Sequence, residues 1–596
     1  MLLFLDCETH LIGPRKLAPP IVCTAYAGPE GPGSVTLGSS ALSSAVLLDP
    51  DVVIVGHNIA FDLASLLAER PDLVSEIFDA YAAGRVRDTM IRQHLLDIGY
   101  GVGVKRSYAL DACYKRATGR DLDKGPDTWR LRYAELDGVP LDQWPREALA
   151  YPAADVEATR AVYLEQENYP HFLADQDRQT ASAFARHLVA AWGLEPHAPS
   201  VDRWEKDTRA RFAELARTLV DAGLMRRDES RDTKAASARL ESVFAAEGLE
   251  VPRTPSGAVS LSEDACLRCH DPVMRAYGQI GAVKARLSKD LPILRRTVCH
   301  TRFGLAASGR ATSSDPNIQN LGREGGVREC FRAPAGYVYV ICDYSTLELR
   351  TLAEVQCEWF GSSPLADAIN GGLDVHLDLA ATLLGVSYQD AKDRLAAGDK
   401  EIKHHRQIAK GANFGFPGGL GAGAMVGYVR ASTGITLSLD AARDLRDAWL
   451  RRWTMGPYFE RIRSTTEARQ PLEQLRSGRL RGGCGFTDGA NTMFQGLAAD
   501  IAHDALRSVV RRCYEDRAGD VLGGCRVVNF VHDEIDMIAP EATAHEAAEA
   551  LREEMIAAGA RWCKHVKIEA VPALARALSK GAEPKHDDRG RLIPCD

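Results

Sequence analysis

Two β-prone runs that end in acidic residues, nearly two hundred positions apart, constrain this chain more than any other feature. Tyr337-Val338-Tyr339-Val340-Ile341-Cys342 is near-continuously apolar and ends in Asp343. A run of this kind reads as a buried strand, and an acid at its end lies where metal sites are often built. Val527-Val528-Asn529-Phe530-Val531 leads into His532 and Asp533, after which Glu534-Ile535-Asp536-Met537-Ile538 reads as a second short strand. The block between Asp343 and Asp533 is largely helical. The pattern therefore predicts a sheet interrupted by a helical insertion, with the two acids meeting across it. Inside the insertion, Arg406, Lys410 and Phe414 recur at spacings of four, which puts two cations and an aromatic ring on one helical face. That stripe suits a nucleoside triphosphate, because cations neutralise phosphates while a ring packs near the sugar and base.

A second set of acids lies near the N-terminus. Asp6 and Glu8 are two apart on a strand-like run, so their side chains leave the same face and can hold divalent cations together. Gly56-His57-Asn58-Ile59-Ala60-Phe61-Asp62 adds a carboxylate just past an apolar strand, and Tyr151-Pro152-Ala153-Ala154-Asp155 adds another on a helix.

A chain of 596 residues exceeds one hydrophobic core and implies roughly three to five structural units. Residues 1 to about 170 mix strand-like runs (Leu2 to Leu5, Ile21 to Tyr26, Val52 to Val55) with a helix over Glu147 to Glu165, an α/β unit. From about 175 to 300 the pattern is helical, clearest over Trp204 to Ala222 and Ala235 to Glu247, with a turn-rich break at Pro252 to Gly257. From about Ser579 a polar tail reads as a loosely held extension.

Composition excludes more than it identifies. The apolar runs are broken well before the ~20 residues a membrane span needs. The N-terminal Leu2 to Leu5 run has no basic segment before it and reads as a buried strand, not a secretion signal. Fourteen scattered cysteines favour reduced thiols and a cytoplasmic location. The net charge of −8 gives no support to nucleic-acid binding and does not forbid it, since phosphate can be held by local basic surfaces. Cys266-Leu267-Arg268-Cys269-His270 approximates a haem or zinc pattern but lacks a second ligand cluster, and reads as coincidence.

The N-terminal blocks resemble the three motifs of proofreading exonucleases with the RNase H-like fold, Asp-x-Glu, Asn-x₂₋₃-Phe/Tyr-Asp and Tyr-x-x-x-Asp, in that order. The later blocks resemble motifs A, B and C of family A (DNA polymerase I type) DNA polymerases. Supporting matches run through Gly309-Arg310-Ala311-Thr312-Ser313-Ser314-Asp315-Pro316-Asn317-Ile318-Gln319-Asn320, Asp374-Val375-His376 and Asn491-Thr492-Met493-Phe494-Gln495-Gly496. The resemblance implies an α/β multidomain chain: an RNase H-like exonuclease domain over residues 1–172, then a right-hand polymerase. That hand has thumb helices at 173–300, palm at 301–364, fingers at 365–485, palm again at 486–578, and the polar tail at 579–596.

The roles follow from the same resemblance. Asp6, Glu8, Asp62 and Asp155 would bind two Mg²⁺ ions, with Tyr151 orienting the attacking water. Asp343 and Asp533 would bind the two Mg²⁺ ions of synthesis. Arg406, Lys410, Phe414 and His376 would contact the incoming dNTP, and Glu348 would block a ribose 2′ hydroxyl. Arg310, Asn491, Gln495 and His532 would contact primer-template DNA near the minor groove. Replisome proteins are further partners this reading admits, and the chain is expected to act as a monomer. Because Asp6 lies so near the start, no 5′ nuclease is expected. The short exonuclease-plus-polymerase plan is similar to bacteriophage replicative enzymes, placing the chain in a host cytoplasm if phage-encoded.

Two positions depart from the family pattern. Thr346 replaces a glutamine, and Gly418, within Phe416-Pro417-Gly418-Gly419, replaces a tyrosine that in the family positions the template base. Proline and glycines predict that the helix ends there, with Phe416 or another ring supplying the stacking surface. Two rivals share part of the signature. A single-subunit RNA polymerase is opposed by Glu348 and the exonuclease motifs, and a noncatalytic DNA-binding scaffold is opposed by the intact acids.

Overall fold

The computed structural model describes residues 1–103, 106–125, 128–254, 256–322, 325–579 and 582–595. None of its described helices is long and apolar enough to cross a membrane.

The first unit is built on a five-stranded sheet of β1 (Leu2–Thr9), β2 (Ile21–Ala27), β3 (Ser34–Leu37), β4 (Val53–Gly56) and β5 (Val86–Asp88), in the order β3-β2-β1-β4-β5. β4 and β5 run parallel to β1, and β2 and β3 complete an antiparallel edge. The period of two in β1 divides its residues between two cores. Leu5 and Cys7 pack with Leu63 of the Ile59–Glu69 helix, whereas Phe4 packs with Val156 of the Arg146–Gln166 helix. Asp6 and Glu8 follow Phe4 on the same face, so they are carried towards the helix that bears Tyr151 and Asp155.

The helical region expected to be the thumb has its own core, where the Ala198–Asp221, Thr233–Ala246 and Pro272–Ala285 helices bury Leu219, Leu240, Phe244 and Tyr277. Cys266 and Cys269 belong to that core, while His270 is turned outward onto Glu247, so the three are not one ligand set. Residue 255, within the expected turn at 252–257, lies outside the described residues; Arg253 and Val259 pair across it.

The Gln176–Trp192 helix, grouped with the thumb by chain position, packs elsewhere. Its Ala181, Phe184 and Leu188 share one core with Leu63 and Ile77 of the first unit and with Ala505 and Val509 of the Phe486–Glu515 helix. A buried ion network locks this junction: Arg479 lies 2.7 Å from both Asp175 and Asp500, and Arg178 lies 2.7 Å from Asp500.

Two hairpins precede and follow the central strand: β6 (Arg302–Leu305) with β7 (Ala311–Ser314), and β9 (Leu472–Glu473) with β10 (Leu480–Arg481). A four-stranded sheet is formed by β8 (Tyr337–Tyr344), β11 (Arg526–Val531), β12 (Glu534–Pro540) and β13 (Ala570–Ala575), in the order β11-β12-β8-β13. β8 is buried on both faces, Val338, Val340 and Cys342 in the main core and Tyr339 and Ile341 in a second core with Val201 and Trp204 of the Ala198–Asp221 helix. That double burial accounts for its unbroken apolar run. A largely helical block, including the Val375–Leu384, Lys400–Gly415 and Leu439–Arg452 helices, is inserted between β8 and β11.

The tail is held more firmly than its composition suggests. A short hairpin of β14 (Lys585–His586) and β15 (Leu592–Ile593) buries Leu592 in the main core, and Cys595 pairs alongside Ala575. Residues 580, 581 and 596 of the tail lie outside the described residues.

Candidate active sites

In the first unit the structure brings together every residue the sequence singled out. Ligand atoms of Asp6, Glu8 and Asp155 all lie within 4.8 Å of one another. Asp62 enters from the Ile59–Glu69 helix and accepts a 2.8 Å hydrogen bond from the Cys7 amide, which ties it to the end of β1. Glu8, Asp62 and Asp155 are each at most 8% exposed. Burial, then repulsion from Asp155 and Asp62, pushes the Asp6 carboxyl well above its usual range. Burial, then Asp6, does the same to Glu8, and burial raises Asp62 to about 7 against amide hydrogen bonds that lower it. Concentrated oxygen ligands that resist ionising together have the chemistry of a site for hard divalent cations.

One member of this cluster escaped the sequence reading. Lys124 directs its ammonium onto the Asp155 carboxylate, lies 2.9 Å from the Tyr151 hydroxyl and stands 4.5 Å from the centre of the Tyr151 ring. A lone lysine in an irregular segment carries no periodic signal by which to find it.

In the four-stranded sheet, Asp343 and Asp533 are brought to neighbouring positions by strand register. Glu534 of β12 pairs with Asp343 of β8, and Asp533 is the residue just before Glu534, in the two-residue turn that joins β11 to β12. His532, exposed at that turn, has φ 58°, the left-handed backbone such a tight connection requires. Asp343 is the exposed position of an otherwise buried strand end. Arg310 forms an ion pair with Glu348. Burial pulls the Arg310 pKa down and Asp533 pulls it back up, so Arg310 lies within electrostatic reach of the turn. Arg310 thereby links Glu348 electrostatically to Asp533.

The stripe of Arg406, Lys410 and Phe414 lies on the Lys400–Gly415 helix, with Lys410 exposed and Phe414 38% exposed. Two nitrogens of Arg406 lie 2.8 and 2.7 Å from one oxygen of Asp374, while the other oxygen caps the His376 and Leu377 amides. Burial acts against the Asp374 charge, but Arg406 and the Leu377 amide hold its carboxyl below the usual range. His376 lies 5.5 Å from the Phe414 ring, and burial lowers its pKa to about 4, so it is neutral near pH 7. Asn413, also missed from sequence, fixes the helix from behind. Its amide donates to the Val375 carbonyl and bonds His376 Nδ1, and its oxygen accepts from the indoles of Trp449 and Trp453.

The departures acquire physical causes. The helix ends at Gly415, and a short 3₁₀ turn covers Phe416–Gly418. A Cβ at residue 418 would stand 2.6 Å from the Asn491 side chain, so this glycine makes room for Asn491. Asn491 in turn accepts a 3.3 Å hydrogen bond from Gln495, one turn along the Phe486–Glu515 helix. The expectation that Phe416 offers a stacking surface is corrected. Phe416 is 1% exposed and packs 5.4 Å from the Trp449 ring, because the turn after Gly415 drives it into the core. Thr346 has φ 51°, a conformation that costs a β-branched residue strain, so the replacement acts on the backbone leading into the Leu347–Phe360 helix.

The family model described as DNA polymerase family A matches residues 271–576. DNA polymerase I of Aquifex aeolicus (strain VF5) is 26% identical over 544 residues, 87% of this chain and 86% of that protein. DNA polymerase I of Chloroflexus aurantiacus is 30% identical over 301 residues, 47% of this chain and 29% of that protein. Among solved structures, the POL domain of Pol1 from M. smegmatis, in complex with DNA primer-template and dNTP, superposes with a TM-score of 0.69. That superposition covers 97% of this chain and 95% of the other at 18% identity, a likeness of fold.

Proposed function

This chain belongs to DNA polymerase family A, and from that premise we propose that it extends a primer on a DNA template and trims mismatched 3′ ends at a second, separate site. The observation that carries the reading is the register of β8 and β12, which brings Asp343 beside the turn bearing Asp533. Two carboxylates, one at a strand end and one in the adjoining turn, in a chain that also carries Arg406 and Lys410 on one helical face, suit phosphoryl transfer. When bound there, Mg²⁺ ions supply charge neutralisation and lower the pKa of the attacking hydroxyl.

The chain's own residues do the positioning. Lys410 and Arg406 draw the triphosphate to the fingers helix, with Arg406 exchanging Asp374 for phosphate, and Phe414 packs on the nucleotide. Neutral His376 contributes a hydrogen bond without adding charge. Glu348, held by Arg310, excludes a ribose 2′ hydroxyl, so deoxynucleotides are preferred. Asn491, Gln495 and His532 face the primer-template minor groove, where acceptor positions shared by all correct pairs allow shape to be checked without reading sequence. In the first unit, Asp6, Glu8, Asp62 and Asp155 hold the metals of 3′ to 5′ hydrolysis, and Tyr151 orients the water.

Primer extension with dNTPs and Mg²⁺ tests the palm assignment, with the Asp343→Ala protein as control. Synthesis by that variant removes Asp343 from the site, and equal use of NTPs favours an RNA polymerase. Asp6→Ala is expected to abolish trimming of a mismatched 3′ end while sparing extension.

A further inference from the structure

The acid cluster of the first unit already contains a cation, and it belongs to the chain. Lys124 contacts Asp155 and Tyr151, the last two residues of the expected catalytic set, and its side chain is 18% exposed. Its charge is also felt at Asp6 and Glu8, where it opposes the effect of burial. An ammonium is a compact point charge on a flexible stem, so it can neutralise such a cluster and leave it again.

A second cation in an acid cluster shows what a fixed one looks like. Arg476 stands against Glu354 and Glu358, beside His565. Glu354 is fully buried and also accepts hydrogen bonds from the amides of Lys564, His565 and Val566. Removing Arg476 would leave Glu354 bonded in place. Asp155 has no comparable anchor among the described residues: its side-chain hydrogen bond comes from Lys124. The ammonium therefore holds the ligand that a divalent cation would have to claim.

We propose that Lys124 is a tethered competitor for the metal at Asp155, released when the metal binds and then turned to the phosphodiester at the substrate's 3′ end. The assignment rests on the exonuclease reading of this site. It makes Lys124 a positioning residue with two opposed effects, weakening metal binding in the empty site and strengthening the hold on substrate in the loaded one. A lysine that served only to support the fold would move both in the same direction.

The test uses the full chain carrying Asp343→Ala and Asp533→Ala, so that Mn²⁺ followed by electron paramagnetic resonance reports on the first unit. Lys124→Met is expected to tighten Mn²⁺ binding about tenfold, the scale of a close opposite charge acting on a buried carboxylate. In the same protein, trimming of a short single strand at saturating metal should fall about tenfold, through a higher KM. Lys124→Arg keeps the charge and should stay close to the parent in metal affinity. Metal affinity that is unchanged or weaker in Lys124→Met, or trimming that is unaffected, overturns the proposal. Asp6→Asn separates this from failure of the site itself. If Asp6→Asn loses Mn²⁺ and trimming while Lys124→Met alters neither, Lys124 alone was misassigned, whereas if Asp6→Asn also alters neither, the exonuclease reading falls.

Discussion

In the first unit, Asp6, Glu8, Asp62 and Asp155 crowd together between a sheet and a helix, largely out of solvent, and a lysine lies among them. In the palm, Asp343 stands exposed at the end of a buried strand and Asp533 sits in the adjoining turn. Alternation along β1 sets Asp6 with Glu8 and two helices add Asp62 and Asp155, whereas strand pairing brings Asp343 beside Asp533. The difference lies in what each cluster must withstand before metal arrives. Buried carboxylates repel one another and lose hydration together, whereas exposed ones keep their water. The first site is therefore expected to be coupled to the stability of its unit, and the palm site to be nearly uncoupled from it.

The largest expected effect breaks the comparison if it fails. Asp533→Ala should reduce primer extension about a thousandfold or more, a loss of several kcal/mol of transition-state stabilisation, while trimming continues. Asp62→Ala should do the reverse, cutting trimming about a hundredfold or more and leaving extension within about twofold. Single-turnover assays on matched and mismatched primers separate the two, and a variant that lowers both activities equally would show that the clusters are not independent.

A smaller effect sharpens the palm side. Arg406→Ala should raise the KM for dNTP by about tenfold, as for one lost charge-assisted hydrogen bond, with trimming unchanged. Because Arg406 is bound to Asp374 in this structure, Asp374→Asn should instead free the guanidinium and leave that KM unchanged or lower. Steady-state kinetics over a range of dNTP concentrations reads both variants, and a higher KM in Asp374→Asn would mean that the pair acts as one positioning unit.

What could be read from sequence follows the reach of local patterns. Strand alternation exposed Asp6 with Glu8 and the end of β8 at Asp343, and helical spacing exposed Arg406, Lys410 and Phe414, because in each case the signal repeats within a few residues. Lys124 gave none, since its place depends on an irregular segment folding back onto the Arg146–Gln166 helix. Asn413 sat in plain view between Lys410 and Phe414, yet its value comes from Trp449 and Trp453, far along the chain. The Gln176–Trp192 helix was legible as a helix but not as the wedge between two units, which a buried ion network across Asp175, Arg479 and Asp500 decides. Phe416 failed for a related reason: a ring beside a helix-ending Pro-Gly-Gly can turn either way, and packing against Trp449 turned it inward.

The subtlest prediction concerns stability without metal. Asp6, Glu8 and Asp62 have carboxyls raised above their ordinary range in the folded chain, Asp62 to about 7. The folded state thus binds more protons than the unfolded one from about pH 4 to pH 7, and linkage requires stability to fall as pH rises through that window. Asp6→Asn removes one of these acids and its repulsion of the others. In chelator, this variant should match the parent near pH 4 and exceed it at pH 8 by about 1 kcal/mol, measured by thermal or urea unfolding. Asp343→Asn should produce a smaller change, because the exposed carboxylate gives up little hydration on folding. Added Mg²⁺ should narrow the gap between Asp6→Asn and the parent, since neutralising the cluster removes the same repulsion that the substitution does. If Asp343→Asn stabilised the chelated chain as much as Asp6→Asn, the contrast between a buried and a solvated cluster would lose its physical basis.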